Sequence, residues 1–164
     1  MNTQLMRMYS YSLGEVQRLM EDVPCERCAD LAGTSKHPSW LVGHMTLAAD
    51  LMLMLAGGEM KYPQWSELYM PGTEPKPERS VYPKKDEVMA ILAERHAALS
   101  ERVGQMTQAD FEQVLPKEDY REFFPTVGHA AVYFMASHEM YHLGQLSVWR
   151  NAAGIGWSRE TETL

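Results

Sequence analysis

Four stretches of the chain repeat hydrophobic side chains every three to four residues, the spacing that gives an α-helix one buried face. The first runs from about Leu5 to Met20, and Pro24 follows it as a stop signal. Its apolar stripe consists of Leu5, Met8, Tyr9, Ser12, Val16 and Leu19. The second begins near Pro38, a favourable first-turn residue, and ends at the glycine pair 57–58. Its stripe consists of Trp40, Leu41, His44, Leu47, Ala48, Leu51 and Leu55.

The third predicted helix starts after Pro83, with acidic residues in its first turn, where the helix dipole favours them. Arg95 interrupts its apolar stripe, which consists of Val88, Ile91, Leu92, Leu99, Val103 and Met106. The fourth is predicted from Thr126, as N-cap, to Gly154, as C-terminal cap. No segment alternates polar and apolar residues with the period of a β-strand, so we predict an all-α protein.

The connection between the second and third helices, residues 58–83, holds five prolines. We therefore expect it to be neither a helix nor a flexible glycine linker. A crossover of this length allows the two helices to run parallel. The simplest architecture is a four-helix bundle that forms a single domain over residues 1–164.

Composition and charge restrict the partners. The chain has 164 residues, of which 45% are hydrophobic and 23% charged, and a net charge of −7. We expect neither nucleic acid nor an anionic membrane as a partner, because both bind basic surfaces. The most apolar stretch, residues 40–58, contains His44 and Asp50 and is interpreted as a buried helix rather than a membrane span. With two cysteines and no signal peptide, the protein is expected in the cytoplasm.

Three histidines fall on core-facing stripes. His138 and His142 are four residues apart and therefore share one helix face, while His44 lies in the middle of the second helix's stripe. A lone core histidine is usually satisfied by a hydrogen bond, but three inward-facing imidazoles together favour a divalent metal. Three histidine ligands leave a coordination position open for water or substrate. His37, His96 and His129 are given no ligand role.

The segment His138-Glu139-Met140-Tyr141-His142 also matches H-E-x-x-H, the zinc-protease pattern in which the glutamate is the general base. That pattern needs a third ligand downstream, where Glu160 and Glu162 are the candidates, and no strand is evident to hold a peptide. A zinc protease is therefore a remote alternative. Glu139 stays a candidate catalytic residue acting on metal-bound water.

Two elements resemble the DinB/YfiT-like proteins. Residues 39–44 (Ser-Trp-Leu-Val-Gly-His) are similar to that family's second-helix W-x-x-G-H element. Residues 138–145 (His-Glu-Met-Tyr-His-Leu-Gly-Gln) are similar to its fourth-helix H-x-x-x-H-x-G-Q element. The proline-rich crossover and Tyr82-Pro83 are also similar, so that the resemblance extends over nearly the whole chain.

The resemblance implies a four-helix bundle in an up-down-down-up order, often a homodimer. It implies one divalent metal ion (nickel, zinc or iron) held by His44, His138 and His142. Relatives include transferases and isomerases that use low-molecular-weight thiols, and proteins described as metal-dependent hydrolases. We therefore expect a small-molecule substrate, with a low-molecular-weight thiol as a further candidate cofactor. DNA repair chemistry is not implied. A non-catalytic metal-binding or stress-response protein is the alternative.

Three residues near the predicted ligands are candidates for the outer part of the site. Gln145 lies one turn beyond His142 and is placed to orient it, or to pack as an amide with a backbone partner. Tyr141 flanks the ligand face as a proton donor or as a packed ring, and Trp40 is expected near the substrate pocket. Cys25 and Cys28 form a C-x-x-C pair without a thioredoxin-like pattern around it, and are interpreted as loop cysteines.

Overall fold

The computed structural model describes residues 2–156, which are helical apart from turns, loops and one isolated bridge between Val114 and Thr126. The all-α prediction is thereby confirmed. Among the described residues, no helix combines the length and the apolar content that crossing a membrane requires. The helices are α1 (Asn2–Met20), α2 (Pro38–Leu55), α3 (Ser66–Tyr69), α4 (Lys85–Gly104), α5 (Gln108–Glu112), α6 (Val127–Val132) and α7 (Glu139–Ala152).

Local capping chemistry explains where the predicted helices begin. Pro38 occupies the first turn of α2, and the preceding His37 side chain accepts a hydrogen bond from the Trp40 backbone N–H. Thr126 caps α6 as predicted, because its hydroxyl oxygen accepts from the backbone N–H of His129. These bonds satisfy N–H groups that a helix leaves without internal partners.

Three expectations need correction. The crossover, expected to contain no helix, holds α3 and the two 3-10 turns Pro63–Trp65 and Arg79–Val81. The fourth predicted helix is not uniformly α-helical, since the π-helical segment Tyr133–His138 joins α6 to α7. Met8, assigned to the buried stripe of α1, is 46% exposed.

Two apolar clusters fill the interior. We call one, which includes Val16, Leu47, Leu92, Leu143 and Trp149, the first core. The second core includes Tyr9, Met52, Leu99, Leu115 and Met135. Each large apolar side chain removed from water contributes roughly 1.5–3 kcal/mol.

Along α1, α4 and residues 127–152, buried polar residues lie between the positions that belong to the two cores, and on α2 Asp50 directly follows Ala49, the first second-core residue of that helix. We call this set the polar layer; it consists of Ser12, Asp50, Arg95, His96, His138 and Glu139. Buried polar groups are costly unless they are paired, so this layer is where the fold supplies specific partners.

Cys25 and Cys28 are both free thiols, and their surroundings shift their pKa values in opposite directions. Hydrogen bonds from the Lys85 backbone and the Arg79 guanidinium lower the pKa of Cys25, which is partly exposed. Burial raises the pKa of Cys28 to about 11. Because the thiolate is the nucleophile, we expect iodoacetamide at pH 8 to alkylate Cys25 and spare Cys28 in the folded chain. Peptide mass spectrometry measures this; both thiols should react in guanidinium, and equal rates in the folded chain would contradict the assignment.

Candidate metal centre

The three histidines predicted as ligands converge on one point between α2 and the helix that carries residues 138–142. One ring nitrogen from each of His44, His138 and His142 lies within 4.8 Å of the others. The Nε2 atom of His138 is 3.0 Å from that of His44 and 3.2 Å from that of His142. The three side chains are buried, with exposed fractions of 5%, 7% and 6% in chain order.

Hydrogen bonds at the far side of two rings fix their tautomers. His44 Nδ1 lies 2.6 Å from the Tyr69 carbonyl oxygen, and His142 Nδ1 lies 2.7 Å from Gln145 Oε1. Each Nδ1 must donate, because both partners are acceptors. The Nε2 atoms of His44 and His142 therefore carry free lone pairs when the rings are neutral, and both are turned towards His138.

Electrostatics keep these rings neutral. Burial, with the neighbouring imidazoles, lowers the pKa of His138 to about 3. Burial is also the main cause that lowers the pKa of His142 to about 4, and it lowers the pKa of His44. Neutral imidazole is the form that binds a metal ion.

The donor set fits a divalent cation. Nitrogen ligands placed tetrahedrally at about 2.0–2.1 Å from zinc are roughly 3.3 Å from one another, close to the two Nε2 separations. Neutral nitrogens this close repel through their lone pairs unless a proton or a cation lies between them. Within residues 2–156, no other histidine, cysteine or acidic side chain joins the group. The His138 Nδ1 atom is buried and has no hydrogen-bond partner among the described residues.

The crossover supplies one of the groups that orient the ligands. Tyr69 is the last residue of α3, where a helix leaves carbonyl groups without internal partners, and its carbonyl accepts from His44. The buried Tyr69 ring lies directly over Gly43 on α2. Trp40 completes the setting of His44, because its ring stacks on the imidazole at a centroid distance of 4.7 Å and an interplanar angle of 14°.

The contact at Gly43 explains the glycine that precedes His44. A Cβ atom at this position would lie 2.1 Å from Cε1 of the buried Tyr69 ring. We expect Gly43→Ala to lower the free energy of unfolding by about 1–3 kcal/mol, because the ring must move. Guanidinium unfolding measures this.

Gly14→Ala on the exposed face of α1 is the matched control, since a Cβ there would meet no atom within 4 Å. Alanine at this site should stabilise the helix by about 0.5–1 kcal/mol. If Gly43→Ala also raised the free energy of unfolding, the close packing of Tyr69 on Gly43 would be contradicted.

The other predicted pocket residues lie around His142. Gln145 Oε1 accepts a hydrogen bond from His142 Nδ1, and its orienting role stays a prediction. Tyr141 is exposed, and its ring meets that of His142 edge-on at a centroid distance of 5.0 Å. Both side chains line a cavity of about 380 Å³ together with Lys36.

Glu139 is turned away from the three histidines. One carboxylate oxygen lies 2.6 Å from His96 Nε2, and the other accepts a hydrogen bond from the Ser12 hydroxyl. The carboxylate thus joins α7 to α4 and α1 inside the polar layer. The catalytic role of Glu139 stays a prediction. Glu160 and Glu162, the third-ligand candidates of the protease alternative, lie outside the described residues.

The partner of His96 could not be predicted from the sequence. The pairing of His96 with Glu139 depends on the relative height and rotation of two helices that are far apart in sequence. Its ring also stacks on Tyr9 at a centroid distance of 3.7 Å. The sequence carries one signal for this pairing, which is that polar residues interrupt or border apolar stripes. Ser12 lies on the stripe of the first helix, and His96 lies at the edge of the stripe of the third.

The chain matches the model of a known protein family. The family model described as the DinB superfamily matches residues 9–146. This range contains the three clustered histidines, the crossover and both elements that carried the sequence resemblance. No curated protein matches the chain.

Proposed function

This chain belongs to the DinB superfamily, and we propose that it is a divalent-metal-dependent enzyme acting on a small molecule, either as a thiol S-transferase or as a hydrolase. The observation that carries the proposal is the convergence of three buried Nε2 atoms, two of them on rings whose Nδ1 atoms are already engaged. Three protein ligands leave a coordination position for a reactant, as in catalytic rather than structural sites.

In this proposal, His44, His138 and His142 hold the cation, and Gln145 and the Tyr69 carbonyl fix the orientation of two of the rings. A bound divalent cation, with nickel, zinc and iron as candidates, supplies Lewis acidity that lowers the pKa of a coordinated water or thiol. For Glu139 we propose a positioning role in place of the catalytic role expected from the sequence, because its bonds to Ser12 and His96 hold the helix turn that carries His138.

We also propose the up-down-down-up order for the four long helical segments. Along the sequence, α1 passes from the second core to the first. Both α2 and α4 pass from the first core to the second, and residues 127–152 return from the second to the first. Contacts of α2 with α4 and α7, and of α1 with both, support a four-helix bundle.

Two experiments test the function. Titration of the chelator-treated chain with zinc, nickel or ferrous iron should saturate at one ion per chain, measured by elemental analysis. A screen of biological thiols with a model electrophile, and of model esters, should then reveal turnover that chelation abolishes. Stoichiometric binding without turnover would favour the non-catalytic metal-binding alternative. Turnover that persists after chelation would contradict the metal-dependent mechanism.

The oligomeric state and the cellular location stay predictions. Residues 51–55 of α2 are apolar on every side, which would suit a dimer interface, but most of them are buried within the chain. The homodimer therefore rests on the family resemblance alone. Light scattering at several protein concentrations tests it.

A further inference from the structure

A cavity of about 390 Å³ opens beside the histidine cluster, and the rings of His44 and His138 form part of its wall. This volume lies in the range of small-molecule sites, about 300–1,000 Å³. A molecule that fills the cavity would touch two of the three proposed ligands. A substrate bound in this cavity would therefore lie beside the histidine cluster.

The wall of this cavity is almost entirely apolar. No aspartate, glutamate, lysine or arginine of the described residues lines it, and its polar groups belong to the two histidines and to Tyr120 and Tyr133. A charged group placed in the cavity away from the histidines would lose its hydration without gaining an ionic partner, which costs several kcal/mol or more. Apolar wall residues include Leu47, Ala48, Leu51, Met70, Phe124 and Phe134.

Aromatic rings continue from the wall to the metal centre. Phe124 lies 4.8 Å from Tyr133 and 5.8 Å from Phe134 between ring centroids, and both of these rings lie 5.6 Å from that of His138. Phe123, which is 70% exposed, also borders the cavity. These separations are those of favourable aromatic packing, so a flat aromatic ligand would find edges and faces to contact.

We propose that the cavity binds the substrate, and that this substrate is an uncharged molecule with an aromatic or aliphatic body and one polar group directed at the histidines. The proposal rests on the proposed function for the role of that polar group. The apolar body is recognised by the cavity itself, whether or not a metal is bound. A charged thiol cofactor does not fit this wall and would approach from elsewhere.

The test uses the full chain loaded with zinc and the neutral fluorescent probe N-phenyl-1-naphthylamine. Leu51→Glu places a charge in the wall, and Ala48→Phe fills the space without adding charge. We expect each variant to weaken probe binding at least 10-fold. Met8→Glu, on the exposed face of α1, is the matched control and should bind like the unmodified chain. Circular dichroism melting verifies that all variants fold.

Displacement of the probe by matched ligands then defines the ligand class. We expect 4-phenylbutan-1-ol to displace the probe at a concentration at least 10-fold lower than 4-phenylbutylammonium does. Equal displacement by the two ligands would overturn the proposal. So would unchanged probe affinity in both wall variants, or a change of oligomeric state in Leu51→Glu without a change in affinity, which would make this face an interface between copies.

A final comparison separates this proposal from the metal function. We expect 2-phenylethanethiol to bind more tightly than propylbenzene in the zinc-loaded chain. In His142→Ala, whose altered residue lies outside the cavity wall, that advantage should disappear. If the thiol has no advantage in either protein while the wall variants still weaken binding, the cavity assignment is supported and the proposed function fails.

Discussion

Replacing His142 with alanine should weaken the binding of a divalent cation by at least about 100-fold, since loss of even an orienting partner typically costs 10–100-fold. The change removes one of the three converging Nε2 donors and leaves the Gln145 amide without the ring that it orients. Calorimetric titration with zinc measures the affinity. His44→Ala should behave in the same way, because the two residues provide equivalent donors from different helices.

Thermal unfolding gives a second measure of the same effect. A ligand present at 100 times its Kd stabilises the folded state by about 2.7 kcal/mol. In a domain of this size, each kcal/mol of stabilisation raises Tm by about 2–4 °C, so zinc at that concentration should raise Tm by roughly 5–10 °C. The unmodified chain should show this rise with zinc, and His142→Ala should not.

His129→Ala is the matched control, because His129 is exposed, lies outside the cluster and bonds to Thr126. It should retain both the affinity and the zinc-induced rise in Tm. Melting each variant in chelator shows whether the substitution itself disturbs the fold. Unchanged zinc affinity in both His44→Ala and His142→Ala would remove the proposed centre.

The histidine cluster was accessible from the sequence because it depends on helix periodicity. A four-residue spacing places His138 and His142 on one face whatever the helix packs against. The inward position of His44 followed from its apolar neighbours on α2 in the same way. What joined these two faces in space was the hydrophobic effect, which turns both apolar stripes towards a common interior.

Gln145, one turn beyond His142, could be proposed from the same periodicity, but the group that contacts the far side of His44 could not. The partner of His44 is a backbone carbonyl at the end of α3, and a backbone atom leaves no trace in a residue pattern. Its position depends on the fold of the crossover, whose five prolines indicated only an irregular path. The π-helical segment before His138 was likewise hidden, because the widened turn changes hydrogen-bond register without a distinctive residue type.

Asp50 connects the crossover to the polar layer. We expect Asp50→Ala to lower the free energy of unfolding by about 3–5 kcal/mol, the usual cost of removing one partner of a buried ion pair. The fully buried carboxylate accepts from Arg95 Nη1 at 3.2 Å. It also accepts from the backbone N–H groups of Lys61, at 2.9 Å, and Tyr62, at 2.7 Å. Guanidinium unfolding of the metal-free chain measures the loss.

Glu94→Ala is the matched control for charge, because Glu94 also pairs with Arg95 but is 43% exposed at its side chain. Its bonds to the crossover come from the side chains of Lys61 and Tyr62 rather than from their backbone. An exposed pair contributes at most about 1 kcal/mol. If Asp50→Ala lowers the free energy of unfolding by less than about 1 kcal/mol, the bonds that the Asp50 carboxylate accepts from Arg95 and the crossover do not stabilise the fold. The double variant Asp50→Leu/Arg95→Met should recover much of the loss, since replacing a buried ion pair with apolar groups is often neutral.

The effect of Asp50 should extend to the metal centre through the chain itself. The backbone groups that Asp50 holds begin the segment that leads to Tyr69, whose carbonyl orients His44. Asp50→Ala should therefore also weaken zinc binding by about 10–100-fold, the usual effect of losing an orienting partner. The double variant, which removes the unpaired charge but leaves Lys61 and Tyr62 unbonded, should recover stability without recovering zinc affinity. If the double variant recovers both stability and zinc affinity, the crossover keeps its position without Asp50. In that case, packing alone places the Tyr69 carbonyl against His44.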